Sequence, residues 1–145
     1  MAKSKEIINS LLVDVFNHIL SIEERKLKEV GVTLSMTEVH VLEAIRNTEV
    51  PTMGEIAKRL RVTLGTLTTS ITILVRKKYV FRYSDEKDRR KVYIKLTDTA
   101  KEVLRLHDAF HDEMIDAVFA DLELDKDEVL MKSLENITDY FKTKY

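Results

Sequence analysis

The chain has 145 residues, the length of one ordinary domain with room for a real core. Its 24 basic and 25 acidic side chains leave a net charge of −1, so affinity for a polyanion can come only from an uneven spread of charge. The absence of cysteine excludes disulfides, thiolate catalysis and thiol redox sensing. No apolar run approaches the ~18–20 residues of a membrane span, and the polar start Met1-Ala2-Lys3-Ser4-Lys5-Glu6 has no signal-peptide core, so a reducing cytoplasm is the expected setting, with no membrane partner.

Three glycines and one proline leave few breakers, and long helices are expected to dominate. Residues 4–30 predict one such helix, with Ile8, Leu12, Val15, Ile19 and Ile22 on one stripe and Ile7, Leu11, Phe16, Leu20 and Leu27 on another. A small domain covers one stripe; the second calls for a subunit contact or a ligand pocket. Ser35-Met36-Thr37-Glu38 is a capping box that opens a helix ending near Asn47, with Val39, Leu42 and Ile45 inward. Thr52 and Glu55 repeat that reciprocal box at the head of a short helix to Leu60. Arg61 and Val62 leave room for a tight turn, and Thr63 caps a second helix running to about Lys78. On this helix Leu64, Leu67, Ile71, Leu74 and Val75 share one arc, with Thr68 nearer to it, while Gly65, Thr66, Thr69, Thr72 and Arg76 share the opposite one. One face packs and the other is free to read DNA.

Val80 to Tyr83 and Val92 to Leu96 are β-branched and aromatic enough for two strands, and residues 84–91 between them form a polar, charged hairpin tip. Helix, turn, helix and hairpin in this order make a winged helix-turn-helix. Nine basic residues (Arg76, Lys77, Lys78, Arg82, Lys87, Arg89, Arg90, Lys91, Lys95) outnumber three acids (Asp85, Glu86, Asp88) across this stretch, a local surplus whose natural partner is phosphate. The candidate DNA-binding residues are Thr63, Gly65, Thr66, Thr69, Ser70, Thr72, Arg76 and Lys77 on the helix and Arg82, Lys87, Asp88, Arg89 and Arg90 on the wing. The methyls and hydroxyls of Thr66, Thr69 and Thr72 suit thymine methyls and base-edge or phosphate oxygens.

Thr97 caps a helix expected to reach about Ala120, with Val103, Leu104, His107, Phe110, Met114, Ala117 and Val118 on its apolar line. Residues 125–128 cap the last helix, which carries Leu130, Leu134, Ile137 and Phe141. Asp112, Glu113, Asp116, Asp121, Glu123, Asp125, Asp127 and Glu128 are opposed by Lys126 alone, so this region is expected to face away from DNA. The expected fold is mainly α, a single domain over residues 1–145 with six helices and a two-stranded β-wing. A DNA-binding lobe at 35–97 sits between dimerisation helices at 4–30 and 97–145, and a two-fold homodimer of this kind suits a palindromic double-stranded operator.

Leu60 through Leu74, together with the run from Asp85 to Thr97, resembles the MarR family of bacterial repressors, and the resemblance covers essentially the whole chain. In that family the last Arg of the wing motif Asp-x-Arg enters the minor groove while the Asp holds it, which implies those roles for Arg90 and Asp88. The family often has Gly where this chain has Lys78 and Ala100, which implies positive φ strain at Lys78. Phe16-Asn17, Ile22-Glu23-Glu24, Glu38 with His40, Val62 through Ser70, and Arg105-Leu106-His107 with Phe110-His111 are similar to the FabT branch, repressors of fatty-acid synthesis. That branch grips its operator more tightly when a long-chain acyl group is presented on acyl carrier protein. The resemblance implies an acyl site near Phe16, Leu20, Leu42, His107 and Phe110, with no resident cofactor.

Zinc-responsive MarR repressors have His at positions like His40, His107 and His111 with an acid from the first helix, here Glu24, and the i, i+4 spacing of His107 and His111 suits a metal. Hydrogen-bonded core histidines account for the same positions, and no residue is assigned to a metal. A chain with no Cys nucleophile, Gly-rich phosphate loop or Gly-x-Ser-x-Gly elbow is not expected to be an enzyme. A winged helix that binds protein instead of DNA is the remaining alternative, and steep salt dependence of nucleic-acid binding separates the two.

Overall fold

The structure is a computed structural model and describes residues 1–144, which fall into two compact units, 1–107 and 108 onward. The first unit opens with an unbroken helical run: α1 (Ala2–Asn9), a π-helical stretch (Ser10–Val15) and α2 (Phe16–Glu29). Backbone at Asn9, Ser10, Val15 and Phe16 stays right-handed helical throughout. The π-helical stretch was not foreseen, because i→i+5 bonding leaves no mark in residue type. Its wider turn shifts the phase of the apolar stripes counted at 100° per residue. Gly31, at φ 85°, ends the run: its N–H reaches the Lys28 carbonyl at 3.1 Å, and Val32 N–H reaches that of Leu27 at 2.9 Å.

Helix α3 (Met36–Asn47) starts on the expected capping box, with Glu38 N–H on Ser35 Oγ and Ser35 N–H on Glu38 Oε1, both at 3.2 Å. At α4 (Met53–Leu60) only half of the expected box forms: Glu55 N–H donates to Thr52 Oγ1 at 3.2 Å. Thr52 N–H is already satisfied by the Val50 carbonyl at 2.8 Å, so nothing draws the Glu55 carboxylate back. Arg61, at φ 57°, makes the turn into α5 (Leu64–Arg76), which Thr63 caps by accepting from Thr66 N–H at 3.1 Å.

The end of α5 is a Schellman turn through Lys78 at φ 67°, with Tyr79 N–H on the Leu74 carbonyl at 2.9 Å and Lys78 N–H on that of Val75 at 3.0 Å. Strand β1 (Val80–Ser84) then pairs antiparallel with β2 (Val92–Leu96) in the register Val80↔Leu96 to Ser84↔Val92. Thr97 closes the lobe: its hydroxyl lies 2.9 Å from the Lys78 carbonyl, and it caps α6 (Asp98–Leu122) by accepting from Ala100 N–H.

The core of this unit joins Leu27, Leu34, Val39, Leu42 and Ile45 to Ile56, Leu67, Ile71, Leu74, Val80, Ile94, Val103 and Leu104. Along α5 the buried positions are Leu67, Ile71 and Leu74, with Val75 half-buried. Leu64 was expected on that arc but is exposed. It is the first residue of the helix, at the end of the arc, and 56% of it is open to solvent. Thr68, expected nearer the packed face, is exposed as well.

The second unit holds the remainder of α6, a short 3₁₀ turn (Leu124–Lys126) and α7 (Glu128–Lys144), capped by Asp127 through the Leu130 N–H at 3.0 Å. Leu130 and Ile137 are half-buried; Ile115, Val118, Val129, Leu134 and Phe141 are exposed. Counting the opening run as one, the described residues form six helices and a two-stranded wing, as expected. None of these helices is long and apolar enough to cross a membrane.

Candidate nucleic-acid interface

The outward face of α5 carries Gly65, Thr66, Thr68, Thr69, Thr72 and Arg76, all exposed, with Ser70 half-buried beside them. Three of its hydroxyls are turned inward on the helix: Thr68 donates to the Leu64 carbonyl at 2.8 Å, Thr69 to Gly65 at 3.2 Å and Thr72 to Thr68 at 2.8 Å. A hydroxyl has one hydrogen, so these threonines present methyls and acceptor lone pairs outward but no donor. In the DNA-free protein the hydroxyl hydrogens of Thr69 and Thr72 are thus spent on their own helix backbone. Thr66 differs, since its oxygen accepts from the Thr63 hydroxyl at 2.9 Å and its own hydrogen is left to point outward.

The wing continues this surface. From β1, Arg82 Nη2 donates to Thr72 Oγ1 at 3.0 Å. Across the ribbon Tyr83 stacks on Tyr93, ring centroids 5.3 Å apart, which stiffens the hairpin that carries the tip. At the tip, Asp85 accepts from Lys87 N–H at 2.9 Å, and Asp88 Oδ1 accepts from Arg90 N–H at 3.1 Å and Nε at 3.4 Å. The Arg90 side chain is 95% exposed. Its stem is held by Asp88 while the guanidinium fork stays in solvent, with Lys87 and Arg89 exposed nearby.

Lys77 stands apart from the other candidates. Its ammonium lies 2.9 Å from Glu38 Oε2, tying the C-terminus of α5 to the N-terminus of α3. Burial pushes the Glu38 carboxyl up, but Lys77 together with the Ser35 N–H and hydroxyl brings it below the usual glutamate range. The Lys77 charge is thus already matched inside the protein.

The expected acyl-site residues differ in burial. Leu42 is sealed in the core at 0% exposure, Phe16 is exposed, and Leu20 is half-buried against the core. His107 is buried, with Nε2 2.7 Å from Glu43 Oε1; Phe110 lies in the second unit, half-buried. The hydrogen bond from His107 holds the Glu43 carboxyl below the usual range despite burial. The acid of α2 that lies beside His107, within 4.8 Å, is Glu23, which is buried; Glu24, expected there, is half-buried. His40 and His111 are half-buried. No local pattern marked Glu43, because its partner lies far along the chain. An open cleft of about 710 Å³, lined by Thr48, Glu49, Thr52, Glu55, Lys58, Arg59 and Lys91, was likewise not foreseen, and its mixed charge favours neither sign of ligand.

An exposed polar helix face joined to a basic hairpin, both carried on a helix-turn-helix, defines a winged helix-turn-helix protein. The MarR family profile matches residues 34–92. The HTH-type transcriptional regulator SarZ of Staphylococcus epidermidis is 30% identical over 112 residues, which span 76% of this chain and 72% of SarZ. The crystal structure of Streptococcus pneumoniae FabT in complex with DNA superposes with a TM-score of 0.87 at 33% identity, over 97% of this chain and 99% of that one. The Staphylococcus aureus MepR–DNA complex, at 21% identity, shares the fold with a TM-score of 0.73, over 92% of this chain and 96% of its own. The chain belongs to the MarR family of transcriptional regulators.

Proposed function

We propose that this chain is a homodimeric, sequence-specific transcriptional repressor of fatty-acid-synthesis genes, binding a palindromic double-stranded operator, with long-chain acyl-acyl carrier protein as corepressor. The observation that carries the DNA reading is the bond from Arg82 to Thr72, which makes the outer face of α5 and the wing one continuous surface. A major groove admits a helix of this kind, and the tip guanidinium of Arg90, restrained by Asp88, suits the adjacent minor groove. Dimerisation is supported by Ile7, Ile8, Leu11, Leu12, Val15 and Phe16, each 40–59% exposed along the opening helical run. The acyl effector is supported by the likeness to FabT over nearly the whole chain. In this reading residues 1–145 work as one cytoplasmic domain, with lobe 35–97 on DNA and the terminal helices joining two copies.

A duplex selected from a random pool should be retarded in a gel when it carries an inverted repeat, and far less with a single half-site. Affinity should fall steeply with salt. Arg90→Ala should abolish retardation while stability stays within about 0.5 kcal/mol of the parent. Long-chain acyl carrier protein should tighten the complex, and the carrier without its acyl group should not. A zinc-responsive repressor is the second reading, favoured by the buried Glu23 beside His107. On that reading a chelator releases the DNA, zinc restores it, and acyl carrier protein has no effect. Failure to retard any duplex would leave a protein-binding winged helix.

A further inference from the structure

Thr72 sits in the third turn of α5, and both functions of its hydroxyl are in use. The hydrogen goes to the Thr68 carbonyl at 2.8 Å, and the oxygen accepts from Arg82 Nη2 at 3.0 Å. Thr72 is therefore poorly equipped to read a base itself. Arg82 is the opposite case: it spends one of its five donors on Thr72 and keeps the rest. It shares the inward face of the ribbon with Val80 and with Ile94, its cross-strand partner, both buried, so its side chain runs along that face toward α5. Arg90, Arg105 and Lys77 each have a carboxylate partner; Arg82 has none among the described residues. A guanidinium already oriented by a fixed acceptor, with its charge unmatched, is prepared for an anion.

We propose that Arg82 is a phosphate-contacting residue and that Thr72 is the positioning residue that presents it. Residues at the start of a recognition helix reach the base edges, whereas by the third turn the helix is leaving the groove, where the backbone is the nearer partner. This rests on the DNA reading above. It reassigns Thr72 from reading bases to holding an arginine, and places the sequence-reading burden on the first two turns of α5.

The test uses the full-length protein on its selected operator and on a random duplex, each over a salt series. Arg82→Ala should weaken both duplexes by a similar factor and lower the salt slope by about 1. Thr72→Val, which keeps the shape and removes the hydroxyl, should produce a loss of the same kind, and should add little in the Arg82→Ala background. Thr72→Ser should restore the parent slope. The proposal is overturned if Thr72→Val leaves affinity and slope unchanged, if its loss adds in full to that of Arg82→Ala, or if Arg82→Ala relaxes discrimination at one base pair with the slope intact. Failure of the unaltered protein to bind any duplex would overturn the DNA reading itself.

Discussion

At the scale of single residues the left-handed Lys78 stands out. The Schellman turn after α5 needs a positive φ, and a side chain there costs ~1–2 kcal/mol that glycine avoids. Part of that gain is returned because glycine has more freedom to lose on folding. Lys78→Gly should therefore raise stability by roughly 0.5–1 kcal/mol, seen as a higher thermal midpoint. A lower midpoint would show that the Lys78 side chain makes a contact outweighing its backbone strain. The neighbouring Lys77 follows different logic, since its ion pair with Glu38 joins two helices and is half-shielded from water.

At the scale of the element, α5 contains a glycine that its own packing does not ask for. A Cβ built on Gly65 meets nothing within 4 Å, and the backbone there is ordinary helix. Glycine within a helix costs about 0.5–1 kcal/mol relative to alanine, so its presence on the outer face fits close approach of another molecule. Gly65→Ala should stabilise the free protein by about that amount and weaken operator binding. Thermal melts and gel retardation measured on the same preparation check both halves. Stabilisation with unchanged affinity would show that DNA does not come close to this turn.

At the scale of the whole molecule, stability is linked to pH through half-buried carboxylates. Glu43, held below the usual range by His107, has a folded pKa lower than its unfolded one, so in that window the unfolded chain takes up the proton more readily. Its contribution is present in full above the unfolded pKa and is lost as pH falls through the folded one. Glu38, with Lys77, has the same sign. Glu43→Gln should be less stable than the parent at neutral pH, with the gap narrowing as the pH is lowered below the glutamate range. Urea melts across a pH series would show this. A constant gap would mean that the pair acts through packing alone.

The residue order by itself determined the helix starts at Ser35, Thr63 and Thr97 and, within residues 125–128, that of the last helix, the buried arc of Leu67, Ile71 and Leu74, and the position of the wing. These depend on partners three or four residues away or on strict alternation, both written into the order of residues. It also marked Thr66, Thr69, Thr72 and Arg76 as facing outward, though not Thr68, while the pairing of Arg90 with Asp88 was implied by the family resemblance. Only the tertiary structure decided what those groups have left to offer. Arg82 bonding Thr72, Lys77 pairing with Glu38, and His107 meeting Glu43 and Glu23 bring together residues from different elements. The competition of Val50 with Glu55 for the Thr52 N–H and the π-helical stretch at Ser10–Val15 were hidden for a related reason. Each turns on which of several acceptors lies nearest once the chain has packed, and residue type alone does not rank them.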